Sequence, residues 1–174
     1  MQCAYIKFRP YQKVYFVRLQ LIALIACLCL SACSDDALRG RVVKVADGDT
    51  ITVLDASKTQ HKIRLQGIDA PEKGQAFGKA SGRFLSGLVA GREVRIAFSK
   101  RDQYNRILGT VYLDDRDINL EMLKAGFAWH YKQYDSTPAY AKAEAEARAA
   151  KRALWQDKNP TEPHEFRKER RAAK

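Results

Sequence analysis

Five side chains in this sequence have the types that cleavage of a phosphodiester needs. They fall in three short segments: Asp47-Gly48-Asp49-Thr50, then Arg64-Leu65-Gln66-Gly67-Ile68-Asp69-Ala70-Pro71-Glu72, then Asp102-Gln103-Tyr104-Asn105-Arg106. A phosphodiester is anionic and repels a nucleophile, so a cation that neutralises one of its oxygens assists attack. Asp49 and Asp69 offer hard carboxylate oxygens to such an ion. Calcium takes about six to eight oxygens, so the Ala70 carbonyl, waters and the substrate phosphate would have to complete its shell. Glu72 is the candidate general base for a water in line with phosphorus, and Pro71 stiffens its approach. Arg64 and Arg106 each present a planar fork that matches phosphate oxygens. Asp47, which precedes Gly48, reads instead as turn chemistry.

The elements around these residues must bring them together. Arg41–Val45 and Thr50–Leu54 have strand composition, and Gln60–Leu65 alternates with Ile63 and Leu65 facing one way and Arg64 the other. A turn near Ser57 pairs Arg64 with Thr50, so Asp49, Arg64 and Asp69 should converge. From Ala76 to Val89 the apolar residues Phe77, Ala80, Phe84, Leu85 and Leu88 fall at helical spacing, with Gly91 as a stop. Glu93–Ser99 and Ile107–Leu113 read as two further strands. Asn119 is placed as the cap of a short helix through Ala125, and Thr137-Pro138 opens a third helix. Five strands with a helix between the third and fourth predict an α+β fold: a small five-stranded Greek-key barrel of the OB type with about three helices.

The chain has 31 Lys and Arg against 20 Asp and Glu, a formal charge of +11 over 174 residues. The first 32 residues hold Lys7, Arg9, Lys13 and Arg18 and no acid; without them 27 bases face 20 acids, a surplus of +7. A domain this basic favours polyanions through counterion release. The basic stretch precedes an apolar run, Leu19–Leu30, with the length of a secretory core rather than of a membrane span. It ends in Leu30-Ser31-Ala32-Cys33, which resembles a bacterial lipobox; that resemblance implies lipid on Cys33 and, with Ser34 rather than Asp following, an outer-membrane anchor facing the periplasm. Cys3, Cys27 and Cys29 lie in the same leader, and the sequence after Cys33 has no cysteine, so the domain must be held by its core alone. The organisation expected is a signal peptide at 1–32, a tether at 33–39, a domain at 40–156 and a basic disordered tail at 157–174.

Other chemistries find less support. His61, His130 and His164 have no ligand spacing, which argues against zinc. There is no phosphate-cradling glycine loop and no visible serine–histidine pair. Trp129 reads as core packing, whereas Tyr131 and Tyr134 are left open between packing and a platform for bases.

Taken in order, the three segments resemble the thermonuclease family, the relatives of staphylococcal nuclease, over about Arg41 to Trp155. The resemblance implies an OB-type barrel and a calcium-dependent nuclease that hydrolyses DNA or RNA with little sequence preference, leaving 3′-phosphate and 5′-hydroxyl ends. It matches Asp49 and Asp69 to the family's calcium carboxylates, Arg64 and Arg106 to its catalytic arginines and Glu72 to its general base. Two departures stand out: Asn105 occupies a position where Gly is usual, and only Lys73-Gly74-Gln75-Ala76 separates Glu72 from Phe77, where the founding member has a longer loop. The protein is expected to act as a monomer. The rival reading is a catalytically silent OB-type lipoprotein that binds nucleic acid or another polyanion; it has no need of the full set of Asp49, Arg64, Asp69, Glu72 and Arg106.

Overall fold

Strand β2 (Thr50–Leu54) shows how the barrel is built, because its β-branched run buries Ile51 and Val53 completely. A computed structural model describes residues 37–173 of the chain. The leader at 1–32 and Cys33 lie outside the described residues. Among those described, no helix is long and apolar enough to cross a membrane.

The short β4 (Ile68–Asp69) and β8 (Trp129–His130) form a separate pair, while strands β1 (Leu38–Val45), β2, β3 (Gln60–Leu65), β5 (Glu93–Arg101) and β6 (Ile107–Leu113) form one sheet in the order β3-β2-β1-β5-β6, with the short β7 (Arg116–Asp117) beside β6. Parallel pairing of β3 with β6, through Ile63↔Ile107, Arg64↔Leu108 and Leu65↔Gly109, closes it into a five-stranded barrel. All other neighbours are antiparallel. Irregularities between Val42 and Lys44 on β1, and between Phe98 and Lys100 on β5, supply the bends that closure needs. β1 starts at Leu38, inside the stretch expected to be a tether, because Leu38 and Arg39 pair with Ile96 and Arg95 of β5.

Alternation fills the interior with Val42, Ile51, Val53, Ile63, Leu65, Val94, Ile96, Ile107, Val111 and Leu113. Helix α1 (Gly78–Val89) adds Leu85 and Val89 to this core, and α2 (Ile118–Lys124) adds Ile118, Met122 and Leu123. Helix α3 (Pro138–Ala149) opens with its proline in the first turn, as the sequence predicts, and packs Tyr140 and Ala143 on the same core. A second cluster joins Trp129, Ala147, Leu154 and Trp155, with the two indoles edge to face at 5.0 Å. Trp129 is therefore packing.

The structure corrects two expectations. Asp117, not Asn119, caps α2: its carboxylate accepts a hydrogen bond from Leu120 N at 3.0 Å. Asn119 is fully buried, donating to Gln66 O and Gly109 O and accepting from Val111 N, so its amide pins backbone from the β3–β4 turn and β6. Within the tail expected to be disordered, Pro163–Ala172 forms a helix, α4. Pro163 suits its first turn, and Arg170 and Arg171 suit the negative end of its dipole. Its decisive partners lie far earlier in the chain, which is why local composition conceals it. The total is four α-helices and a short 3₁₀ turn at Ala153–Gln156 among the described residues, against the three helices expected.

Candidate active site

The hairpin of β2 and β3 sets the first relationship. Its register places Thr50 opposite Arg64, as the turn near Ser57 implies. Asp49 lies one residue before Thr50, in a tight loop where Asp47 Oδ1 accepts from Asp49 N at 3.1 Å. That Asx bond agrees with reading Asp47 as a turn residue. Gly48 is required here: any Cβ at this position would collide with Ser81 Oγ and the Ala70 side chain, so the loop could not lie against α1. Burial, and next the charge of Asp49, push the Asp47 carboxyl up to about 6.

A short pairing absent from the sequence reading fixes Asp69. Strand β4 (Ile68–Asp69) pairs with β8 (Trp129–His130), Ile68 opposite His130 and Asp69 opposite Trp129. Gly67, at φ 76°, makes the turn from β3 into β4 that brings Asp69 back beside Arg64. One guanidinium nitrogen of Arg64, Nη2, then lies 3.0 Å from Asp49 Oδ2 and 2.9 Å from Asp69 Oδ1. Its Nη1 donates to Leu65 O and Ile68 O, both at 2.8 Å. Arg64 is thus held by three hydrogen bonds, to Leu65 O, Ile68 O and Asp69 Oδ1, and by an ion pair with Asp49. Asp49 Oδ2 also accepts from the Ala70 amide at 2.8 Å, and Asp49 Oδ1 from Thr50 Oγ1 at 3.0 Å. Ala70 reaches this cluster through its N–H. Asp49 and Asp69 are both buried. For Asp69, burial outweighs its neighbouring arginines and raises the carboxyl above its usual range.

Arg106 arrives from the barrel's closing seam. Leu108 pairs with Arg64, so Arg106, two residues earlier, projects to the same face of the sheet. Asn105 has φ 59°, a left-handed conformation that asparagine tolerates better than other side chains. The replacement of the usual Gly is therefore accommodated, and the frame of the turn is kept. Asp102 organises the turn: its Oδ1 accepts from Tyr104 N and Arg106 N, and its Oδ2 from Arg106 Nε at 2.7 Å. Partial burial works against ionisation of Asp102, but the bonds from Arg106 and Tyr104 prevail and hold it below the usual carboxylate range. The Arg106 guanidinium also sits 5.4 Å from the Tyr104 ring centre.

Glu72 follows Pro71 in the loop before α1. Its N–H donates to Gln75 Oε1 at 3.0 Å, and its carbonyl accepts from Gln75 N at the same distance. Asp49, Arg64, Glu72 and Arg106 line one cleft of about 810 Å³, together with Lys100, Tyr104, Tyr131, Tyr134, His164, Arg167 and Arg171. Tyr131 and Tyr134 meet edge to face at 4.8 Å, and Tyr134 is largely exposed, so both stand on the cleft rather than in the core. Their loop is braced by Glu144 of α3. That buried carboxylate accepts from Lys132 Nζ at 2.7 Å, Arg148 Nη2 at 3.2 Å and His130 N at 3.3 Å. Burial opposes its charge, but Lys132 and Arg148 hold its pKa below the usual range.

The residue that sequence reasoning missed is Arg167 of α4. Its guanidinium grips Asp69 with both terminal nitrogens, Nη1 to Oδ1 at 3.1 Å and Nη2 to Oδ2 at 2.9 Å, and reaches Glu72 Oε1 from Nη1 at 2.8 Å. Against its own partial burial, these two carboxylates raise its pKa further. A signal was present: His164, Arg167 and Arg171, after Pro163, follow helical spacing with one basic face.

The donor chemistry suits a hard cation. Two buried carboxylates share one arginine nitrogen, and the burial that disfavours charge on Asp69 makes a nearby cation favourable. Among the described residues no group of three or more His, Cys, Asp or Glu is placed to enclose a metal. Both Asp69 oxygens are bonded to Arg167.

Residues 62–157 match a family model described as staphylococcal nuclease homologue. An "uncharacterized endonuclease" of Haemophilus influenzae is 49% identical over 140 residues, 80% of this chain and 79% of its own. A protein of the same description from Escherichia coli is 47% identical over 132 residues, 75% of this chain and 84% of its own. A "probable staphylococcal-like nuclease" of Oryza sativa subsp. japonica is 43% identical over 115 residues, 66% of this chain but 31% of its own.

Proposed function

Because the chain belongs to the family of staphylococcal nuclease homologues, we propose that it is a calcium-dependent nuclease that hydrolyses DNA or RNA phosphodiesters with little sequence preference. The observation that carries this reading is the single cleft that gathers Arg64, Arg106, Asp49 and Glu72, with buried Asp69 joined to Arg64 at its wall. Calcium held by Asp49 and Asp69 would neutralise one phosphate oxygen and help orient the nucleophilic water.

The chain's own residues do the rest. Arg64 and Arg106 grip non-bridging phosphate oxygens as forks and meet the extra charge that develops as phosphorus becomes five-coordinate. Glu72 accepts the proton of the attacking water at a carboxylate oxygen. Asp102 aims Arg106 through its Nε, leaving the terminal nitrogens for the substrate. Lack of sequence preference follows from contacts made to backbone and base faces; Tyr131 and Tyr134 supply aromatic surface that any base can use.

The protein is further proposed to be exported and anchored by lipid on Cys33, on the strength of the leader and its lipobox-like end. The nuclease reading is tested by incubating the mature domain with DNA and with RNA, in calcium and in excess EGTA. Cleavage in calcium alone supports it. Binding without cleavage returns the chain to a silent polyanion-binding module, and undiminished cleavage in EGTA removes the metal.

A further inference from the structure

The body of α4 has almost no apolar attachment. Pro163 is its only buried residue, Phe166 is half-buried, and Glu165, Lys168, Glu169, Arg170 and Arg171 are exposed. The approach to the helix is tied to the loop before α1, where Gln75 Nε2 donates to Thr161 O at 2.7 Å. Beyond that pivot, the contact that fixes the helix is Arg167, bound to both oxygens of Asp69 and one of Glu72. A ten-residue helix is marginal in water without tertiary contacts. Its docking therefore depends on Asp69 and Glu72 being free to receive a guanidinium.

Those two carboxylates are also the proposed cation ligand and the proposed base. While Arg167 is bound, Asp69 has both oxygens occupied and Glu72 has one oxygen, Oε1, paired with a guanidinium. His164 and Arg171 line the same cleft and narrow it from α4. We propose that α4 is an autoinhibitory latch: Arg167 stands in for the cation in the resting protein, and cation binding at Asp49 and Asp69 releases the helix and opens the cleft. The inference rests on the cation reading of those two aspartates. Because coupling is reciprocal, a docked helix must weaken the cation by the same factor that the cation weakens docking.

The test uses the full mature chain without substrate, calcium alone being the probe. Calorimetry gives its affinity for wild type, Arg167→Gln and Lys168→Gln; the last removes the same charge from an exposed position. Hydrogen exchange of the α4 amides is followed with and without saturating calcium. Arg167→Gln is expected to bind calcium about 5- to 150-fold more tightly than wild type, the usual span for coupled sites, and Lys168→Gln to stay near wild type. Calcium should strip protection from α4 in wild type, and the helix of Arg167→Gln should exchange fast in both conditions. The exchange arm separates a latch from simple charge repulsion, which would change affinity and leave the helix docked. Equal calcium affinity in Arg167→Gln and wild type, or α4 protection that calcium leaves unchanged, overturns the latch and spares the cation site. No calcium binding by any of the three proteins overturns the cation site and the latch with it.

Discussion

Arg64 and Asp49 meet at 3.0 Å between Nη2 and Oδ2, and this contact makes Arg64 a structural as well as a chemical residue. The same side chain supports the carbonyls of Leu65 and Ile68 and pairs with Asp69. Arg106, by contrast, rests on Asp102 in an exposed turn.

The two arginines should therefore fail differently. Arg64→Ala leaves two buried carboxylates short of a partner, and breaking a buried ion pair costs about 3–5 kcal/mol. It should lose turnover and lower the melting temperature together. Arg106→Ala should lose about 10²–10³ in kcat, the scale of one preorganised donor, with a melting temperature close to wild type. Lys should rescue either only in part, having no fork. Wild-type turnover in Arg106→Ala would remove the assignment across Asn105.

Binding and cleavage should separate at Glu72. The proposed grip on nucleic acid comes from Arg64, Arg106, the cation and the basic surface, whereas the Glu72 carboxylate is bonded to Arg167. Glu72→Gln should lose about 10²–10⁴ in single-turnover rate, the range of general-base catalysis, and hold single-stranded DNA within a few-fold of wild type in calcium. Affinity should fall steeply with salt in both proteins. Parallel losses of rate and affinity would show that Glu72 shapes the cleft instead of moving a proton.

Stability in acid should carry the mark of Glu144. Lys132 and Arg148 lower its folded pKa below the ordinary 4.5, so the folded state binds fewer protons there than the unfolded chain. Its contribution is complete above the unfolded value and is lost as pH falls through the folded one. Glu144→Gln should cost about 1.5–3 kcal/mol near neutral pH, the scale of hydrogen bonds to a charged group, and the gap to wild type should close as pH drops below 4.5. Denaturant melts at several pH values measure it. A gap that is constant with pH would mean that the carboxylate's charge contributes nothing.

Export should leave a lipid on Cys33. Metabolic labelling with a fatty acid should mark the wild type, and Cys33→Ser should lose the label and stay unprocessed or soluble. A natural protein free of lipid and released by ordinary signal cleavage defeats this expectation.

The features legible in the residues alone were those that repeat locally or carry a fixed order. The β-branched run Thr50–Leu54 and the alternation of Ile63 and Leu65 announced two of the strands, because branched side chains suit a pleated surface and side chains alternate along any strand. The turn near Ser57 then brought Arg64 to Thr50 by counting, and the order Asp49, Arg64, Asp69, Glu72, Arg106 named the family. Tertiary structure decided whatever depends on partners distant in sequence. The pairing of Asp69 with Trp129 rests on two-residue strands too short to leave a pattern. Asn119 is a cap by local preference, but it is drawn inward by unpaired backbone at Gln66, Gly109 and Val111. The tail is charged and reads as disordered, yet α4 docks because Asp69 and Glu72 wait for a guanidinium that only the folded barrel brings within 3.1 Å. Local composition carries the propensity of a segment; the charge it will meet exists only once the chain has closed.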